Sequence, residues 1–89
     1  MAKKRRKLNK DFEKKIYSSK KNVELVLAKI FDISDEDIQK EYMSAFNRVV
    51  FLYDELKEEY EKLGFNDNSE GLLTNYKNAF NLFESEFEI

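Results

Sequence analysis

The chain has 89 residues, with no proline, cysteine or histidine and only two glycines. This length allows one domain with an adequate core, and the near absence of helix-breaking residues favours helices throughout. Without cysteine and histidine the chain lacks a disulfide framework, the usual zinc ligands, the commonest general base and the best nucleophile. We therefore expect a non-enzymatic, all-α protein that needs no cofactor or metal and takes no small-molecule substrate.

The hydropathy of the chain predicts neither a membrane span nor a signal peptide. Its apolar runs are far too short to cross a bilayer, and no apolar segment follows the basic N-terminus. A reducing compartment suits a chain without cysteine. We expect a cytoplasmic location.

The net charge of −2 conceals a strong asymmetry along the chain. Residues 1–22 hold ten basic and two acidic side chains, a net charge of +8, whereas residues 23–89 hold six basic and sixteen acidic ones, a net charge of −10. We expect residues 1–8 to form a flexible basic arm. The side chains predicted to contact a nucleic acid or an acidic partner are those of Lys3, Lys4, Arg5, Arg6, Lys7, Lys10 and Lys14.

Apolar residues at helical spacing predict a first helix over residues 9–31. Its apolar stripe comprises Leu8, Phe12, Ile16, Val23, Val26, Leu27, Ile30 and Phe31. Residues 18–22 are the weakest part, because Ser18, Ser19 and Asn22 can each cap a new helix. The sequence leaves open whether the helix is continuous there. A continuous helix would carry one basic lane of Lys3, Lys7, Lys10, Lys14 and Lys21.

A second, longer helix is predicted over residues 35–63. Ser34 suits its N-cap, and the carboxylates of residues 35–37 favour the positive end of a helix. Gly64 suits its C-terminal end, where Phe65 can fold back on the final turn. The apolar stripe comprises Ile38, Tyr42, Ala45, Val49, Tyr53, Leu56, Tyr60 and Leu63.

A third amphipathic helix is predicted over residues 70–87, with Asp67 or Ser69 as its cap. Its apolar stripe comprises Leu72, Leu73, Tyr76, Ala79, Phe80, Phe83 and Phe87. Short connections between the helices predict antiparallel neighbours. The fold that we expect is a small three-helix bundle with a long central helix, formed by a single domain over residues 9–89.

One large apolar side chain falls on the polar side of the central helix. Phe51 lies opposite the apolar stripe on a helical wheel, among Arg48, Glu55 and Glu58. Aromatic side chains frequently anchor protein interfaces, so we predict that these four residues contact a partner. The other apolar residues that leave their stripes are Leu25, Leu82 and Ile89.

These features favour a protein that acts by binding another protein, including a homodimer formed through the second and third helices. Attraction between the basic residues 3–21 and the acidic residues 54–61 would assist such pairing. An alternative is a nucleic-acid-associated accessory protein that uses its basic arm without reading sequence. A third reading is a small helical inhibitor or immunity-type protein whose acidic second helix blocks a target.

Overall fold

The computed structural model describes residues 7–87 and contains three α-helices within that range. They are α1 (Lys10–Phe31), α2 (Glu36–Leu63) and α3 (Asp67–Glu86). The prediction of an all-α three-helix bundle with a long central helix is confirmed. Residues 3–6 of the expected basic arm, and Ile89, lie outside the described residues.

Helix α1 is continuous through residues 18–22, where the sequence left a break open. Its cap is Asn9, whose side chain accepts a hydrogen bond of 3.0 Å from the amide of Phe12. Within the weak stretch, the buried hydroxyl of Ser19 donates to the carbonyl of Lys15 at 2.8 Å. That hydroxyl is thus satisfied inside the helix, by the carbonyl that also accepts the i→i−4 backbone bond of Ser19.

Helix α2 is capped by Asp35, so the prediction of Ser34 as the cap is wrong. The Asp35 carboxylate accepts hydrogen bonds from the amides of Asp37 and Ile38, at 2.9 and 3.1 Å. A charged acceptor at this position satisfies two free amides and also interacts favourably with the helix dipole. Gly64 ends the helix as predicted, and its φ of 77° is a conformation that suits glycine.

Helix α3 begins at Asp67, three residues before the predicted start, and its cap is Asn66 rather than Asp67 or Ser69. The Asn66 side chain accepts from the amide of Ser69 at 2.8 Å, and the Ser69 hydroxyl accepts from the amide of Asn66 at 2.9 Å. This reciprocal pair is a capping box, and it begins the helix inside a stretch that reads as a loop by composition.

The three helices run up, down and up, with α2 packed against both neighbours. We call the end that contains Phe12 and Tyr60 the lower end, where their rings lie 5.6 Å apart. At the upper end, the Gln39 side-chain amide donates to the carbonyls of Ile30 and Phe31, both at 3.2 Å. These bonds satisfy carbonyls that the end of α1 leaves without helical partners.

The core lies along the face of α2 that meets both outer helices. Phe46 and Leu56 of α2 are completely buried, as is Ile30 of α1. Aromatic contacts join α2 to α3 along much of their length: Phe46 lies 4.8 Å from Phe83 and Tyr53 lies 6.1 Å from Tyr76, measured between ring centroids.

Four residues assigned to apolar stripes are exposed instead of buried: Leu8, Phe31, Ile38 and Leu63. Each lies at or beside the end of a helix. Ile38, for example, is in the first turn of α2, whereas the aromatic contacts of α3 end with Phe87 on Tyr42. Helical spacing predicts the face of a residue but not whether a partner extends to its level.

The chain before α1 is attached to the turn between α2 and α3. The carbonyl of Lys7 accepts from the amide of Phe65 at 2.6 Å, and the amide of Asn9 donates to the Tyr60 hydroxyl at 3.1 Å. Phe65 packs against Phe12 of α1 at 5.0 Å between ring centroids. Because α1 starts at Lys10, Lys7 does not extend the basic lane of that helix, which corrects the prediction.

Replacing Phe46 with alanine is expected to lower the free energy of unfolding by about 3–5 kcal/mol, because the ring is fully buried. The matched change Phe51→Ala should cost less than about 1 kcal/mol, because Phe51 is 61 % exposed. Urea unfolding followed by far-UV circular dichroism measures both. Equal losses would mean that the ring of Phe51 belongs to the core.

Candidate binding surfaces

A groove runs between α1 and α3, on the side of the bundle away from the outer face of α2. Both outer helices pack on α2, and the space between them has a volume of about 790 Å³. Its α1 wall contains Lys14, Lys15, Asn22, Leu25 and Lys29, and its α3 wall contains Lys77, Asn81 and Glu84. We call this feature the α1–α3 groove.

The floor of the α1–α3 groove is aromatic. Phe83 is buried, whereas Phe80 and Phe87 are half-buried and leave part of their rings accessible. Phe83 stacks on Phe87 with ring centroids 5.0 Å apart, and Phe80 lies 6.1 Å from Phe46 of α2. The floor is therefore held in place from below by the core, which favours a preformed apolar surface.

One direct hydrogen bond crosses the groove from α3 to α1. The Tyr76 hydroxyl donates to the backbone carbonyl of Ser19 at 3.3 Å in a buried position. Burial disfavours the phenolate and raises the pKa of Tyr76 to about 12. The phenol therefore stays protonated, and able to donate this bond, across the physiological range.

Positive charge dominates the rim of the α1–α3 groove. Lys14, Lys15, Lys29 and Lys77 are exposed there, with Glu84 as the acidic residue of the same rim. Of these, Lys14 was predicted to contact a partner. The other lysines were missed, although the seven-residue spacing of Lys15, Asn22 and Lys29 marks one lane beside the apolar stripe of α1.

The second candidate surface is the outer face of α2, formed by Arg48, Phe51, Glu55 and Glu58. All four side chains are exposed, and Phe51 is 61 % exposed in the middle of the helix. This placement agrees with the sequence pattern; a partner contact there stays a prediction. Leu25 and Leu82 are also exposed, the first on the α1–α3 groove and the second on a smaller cleft of about 580 Å³ between α2 and α3.

The predicted basic contact residues are only partly brought together. Lys10 and Lys14 lie on exposed positions of the first turns of α1, and Lys21 continues their lane. Lys7 is separate, with its ammonium group 5.8 Å from the centre of the Phe65 ring. Lys3, Lys4, Arg5 and Arg6 lie outside the described residues.

Within residues 7–87 no helix is both long and apolar enough to cross a bilayer. The same range contains no cluster of three or more carboxylate, imidazole or thiol side chains arranged to hold a metal ion. The candidate surfaces of this part of the chain are accordingly the groove, the outer face of α2 and the lysine lane of α1.

The raised pKa of Tyr76 predicts a loss of stability at high pH. The phenol ionises near pH 10 in the unfolded chain and near pH 12 in the folded one, so its contribution is complete below about pH 10 and is lost towards pH 12. Tyr76→Phe should reduce this loss. Urea unfolding of both proteins at about pH 9 and about pH 11.5 measures it. Identical pH dependence in the two proteins would refute the assignment.

Comparison of the chain with protein-family models, with curated proteins and with solved structures finds no match. The geometry of the groove and the outer face of α2 is therefore the basis for a functional proposal.

Proposed function

We propose that the protein acts without catalysis, by binding a helical segment of another protein chain in the α1–α3 groove. The observation that carries the proposal is the aromatic floor, whose Phe80 and Phe87 rings remain partly accessible between two parallel helices. An amphipathic helix bound in such a groove buries apolar surface. Each Å² removed from water stabilises the complex by about 25 cal/mol. The bound helix would also complete a four-helix arrangement, in which each helix has two neighbours.

The dimensions and charge of the groove narrow the class of occupant. Lys15 and Lys29 are fourteen residues apart on α1, which corresponds to about 21 Å, or about four helical turns. The excess of lysine on the rim favours an occupant with carboxylates beside its apolar stripe. The association rate of an oppositely charged helix would be higher at low ionic strength, because salt at 0.1 M screens the attraction between exposed charges beyond about 10 Å.

Photocrosslinking in the cell that makes the protein tests this function. A benzophenone amino acid placed at Asn22 or Asn81, one on each wall of the groove, is expected to give the same adduct. The same group at Lys20, which is exposed on α1 and lines the cleft between α1 and α2, should give none.

A pair of leucine substitutions provides the matched control for that experiment. Leu25→Asp places a carboxylate on the groove wall and should abolish the adduct, whereas Leu82→Asp should leave it unchanged, since both leucines are similarly exposed. Adducts that form equally at Lys20, or that survive Leu25→Asp, would contradict binding in the groove.

A second candidate function is sequence-independent binding of nucleic acid, and the exposed lane of Lys10, Lys14 and Lys21 on α1 supports it. These lysines lie on the side of α1 away from the acidic α2, where a phosphate backbone would meet the least repulsion. Lysine makes point-charge contacts rather than the bidentate contacts that read bases.

Deleting residues 1–6 is expected to weaken duplex DNA binding by at least about tenfold and to reduce its salt dependence, because four basic side chains are lost. This deletion keeps Lys7 and Asn9, whose backbone groups bond to Phe65 and Tyr60. Helicity should therefore remain, as circular dichroism would show. Unchanged affinity after the deletion would rule out the arm as the contact.

A further inference from the structure

We propose that the helix bound in the α1–α3 groove is α2 of a second copy of this chain, presented by its outer face with both copies in the same orientation. The inference rests on the proposed function, since it assigns the occupant of the same groove. Phe51 supplies the exposed aromatic ring, and Arg48, Glu55 and Glu58 supply the charges. Which groups meet in this contact depends on the height of each side chain along the bundle and on the side of α2 from which it projects.

Heights along the bundle follow from the contacts between helices. The Phe12–Tyr60 contact sets Lys14 of α1 level with Glu58 of α2, because antiparallel helices advance by equal steps in opposite directions. In the same way, the Tyr53–Tyr76 contact places Lys77 of α3 level with residue 52 of α2. Glu55 is three residues from that level, or about 4.5 Å along the helix axis.

The upper half of α2 is aligned by a second contact with α3. The Phe46–Phe83 pair places Glu84 of α3 level with residue 45 of α2. Arg48 is three residues from that level, or about 4.5 Å along the helix axis. Phe51, counted from the Tyr53–Tyr76 contact, is level with residue 78 and lies within about 3 Å of the level of Phe80. The exposed ring thus stands at the height of the accessible part of the groove floor.

The charged residues also project towards the correct sides. Arg48 lines the cleft between α2 and α3, and Glu55 lies two turns further along the same side of the helix. Glu58 lies on the α1 side of Phe51, since on a helical wheel it falls between Phe51 and Glu61, which lines the cleft between α1 and α2. If the second copy is shifted relative to the first without rotation, each of these side chains keeps its side. Glu55 and Arg48 of the second copy then approach the α3 wall of the first copy's groove, and Glu58 approaches the α1 wall.

Height and side together pair every one of these charges with its opposite. Glu58 meets Lys14 and Lys15, Glu55 meets Lys77, and Arg48 meets Glu84. Turning the second copy end over end would instead place Glu58 beside Glu84 and Arg48 beside Lys15, two repulsions against one attraction of Glu55 to Lys29 at about 6 Å in height. The charges therefore select one orientation by attraction and oppose the reverse orientation by repulsion.

Such a contact does not close on itself. The groove and the outer face of α2 lie on opposite sides of one copy, so each bound copy presents a free groove or a free outer face to the next. A contact between two different surfaces that involves no rotation builds an open row instead of a symmetric dimer. The exposed charges and the single aromatic anchor give a weak, salt-sensitive association, typical of small transient interfaces.

Analytical ultracentrifugation of the full chain over micromolar to millimolar concentrations tests this assembly. At about 50 mM salt the average mass should rise steadily above the 10.7 kDa monomer without a plateau at the dimer, and about 500 mM salt should reduce it. Phe51→Ser removes the anchor from the outer face, and Lys15→Glu with Lys77→Glu reverses charge in the groove. Each variant should weaken association at least about tenfold.

Mixing the two variants gives the decisive result. The Phe51→Ser chain keeps an intact groove and the lysine variant keeps an intact outer face, so the mixture should form a one-to-one complex that grows no further. The control Lys20→Glu with Lys57→Glu makes the same charge change in the cleft between α1 and α2, away from the groove, and should associate as the unchanged chain does. Circular dichroism verifies that each variant is folded.

Three results would overturn the inference: a monomer at millimolar concentration and low salt, a plateau at the dimer, or no complex in the mixture. None of these bears on the photocrosslinking at Asn22 and Asn81, which would still identify a different protein in the groove. Conversely, a row that forms in solution while Leu25→Asp leaves the cellular adduct unchanged would place the cellular partner elsewhere on the molecule.

Discussion

The packing of both outer helices on one face of α2 is the constraint on which the rest of the structure depends. Phe46 and Leu56 have no solvent exposure, and the aromatic side chains of α3 meet α2 from Tyr42 to Tyr53. α1 and α3 are held chiefly through this shared neighbour and only secondarily by direct contact, such as the Tyr76–Ser19 hydrogen bond. The groove between them is therefore a direct result of the way in which the core forms.

Much of this fold could be predicted from the sequence, because periodicity and helix-ending residues are local signals. Gly64 ends α2 as expected, and the apolar stripes of the three helices form the core. The cap positions were less predictable, since Ser34 and Asp35 both have suitable oxygen atoms and only the backbone geometry decides between them. Asn66 and Ser69 form a reciprocal pair that reads as a loop by composition.

The two candidate binding surfaces also differ in whether the sequence could predict them. The exposure of Phe51 follows from its angle on the helix and was predicted. The α1–α3 groove was not predicted, because a helical wheel describes a single helix and gives no information on the distance between α1 and α3. Lys15, Lys29 and Lys77 become one rim only when α1 and α3 run parallel on the same side of α2.

The bonds between Lys7 and Phe65 and between Asn9 and Tyr60 have a mechanical consequence for this groove. The first fastens the chain before α1 to the turn that leads into α3, and the second fastens the N-cap of α1 to α2. Together they fix the spacing of the two walls at the lower end. The Tyr76–Ser19 bond fixes it again near the middle. At the upper end, near Lys29 and Phe87, each wall is held to α2 by its own contacts. The two walls can therefore move apart most easily at that end.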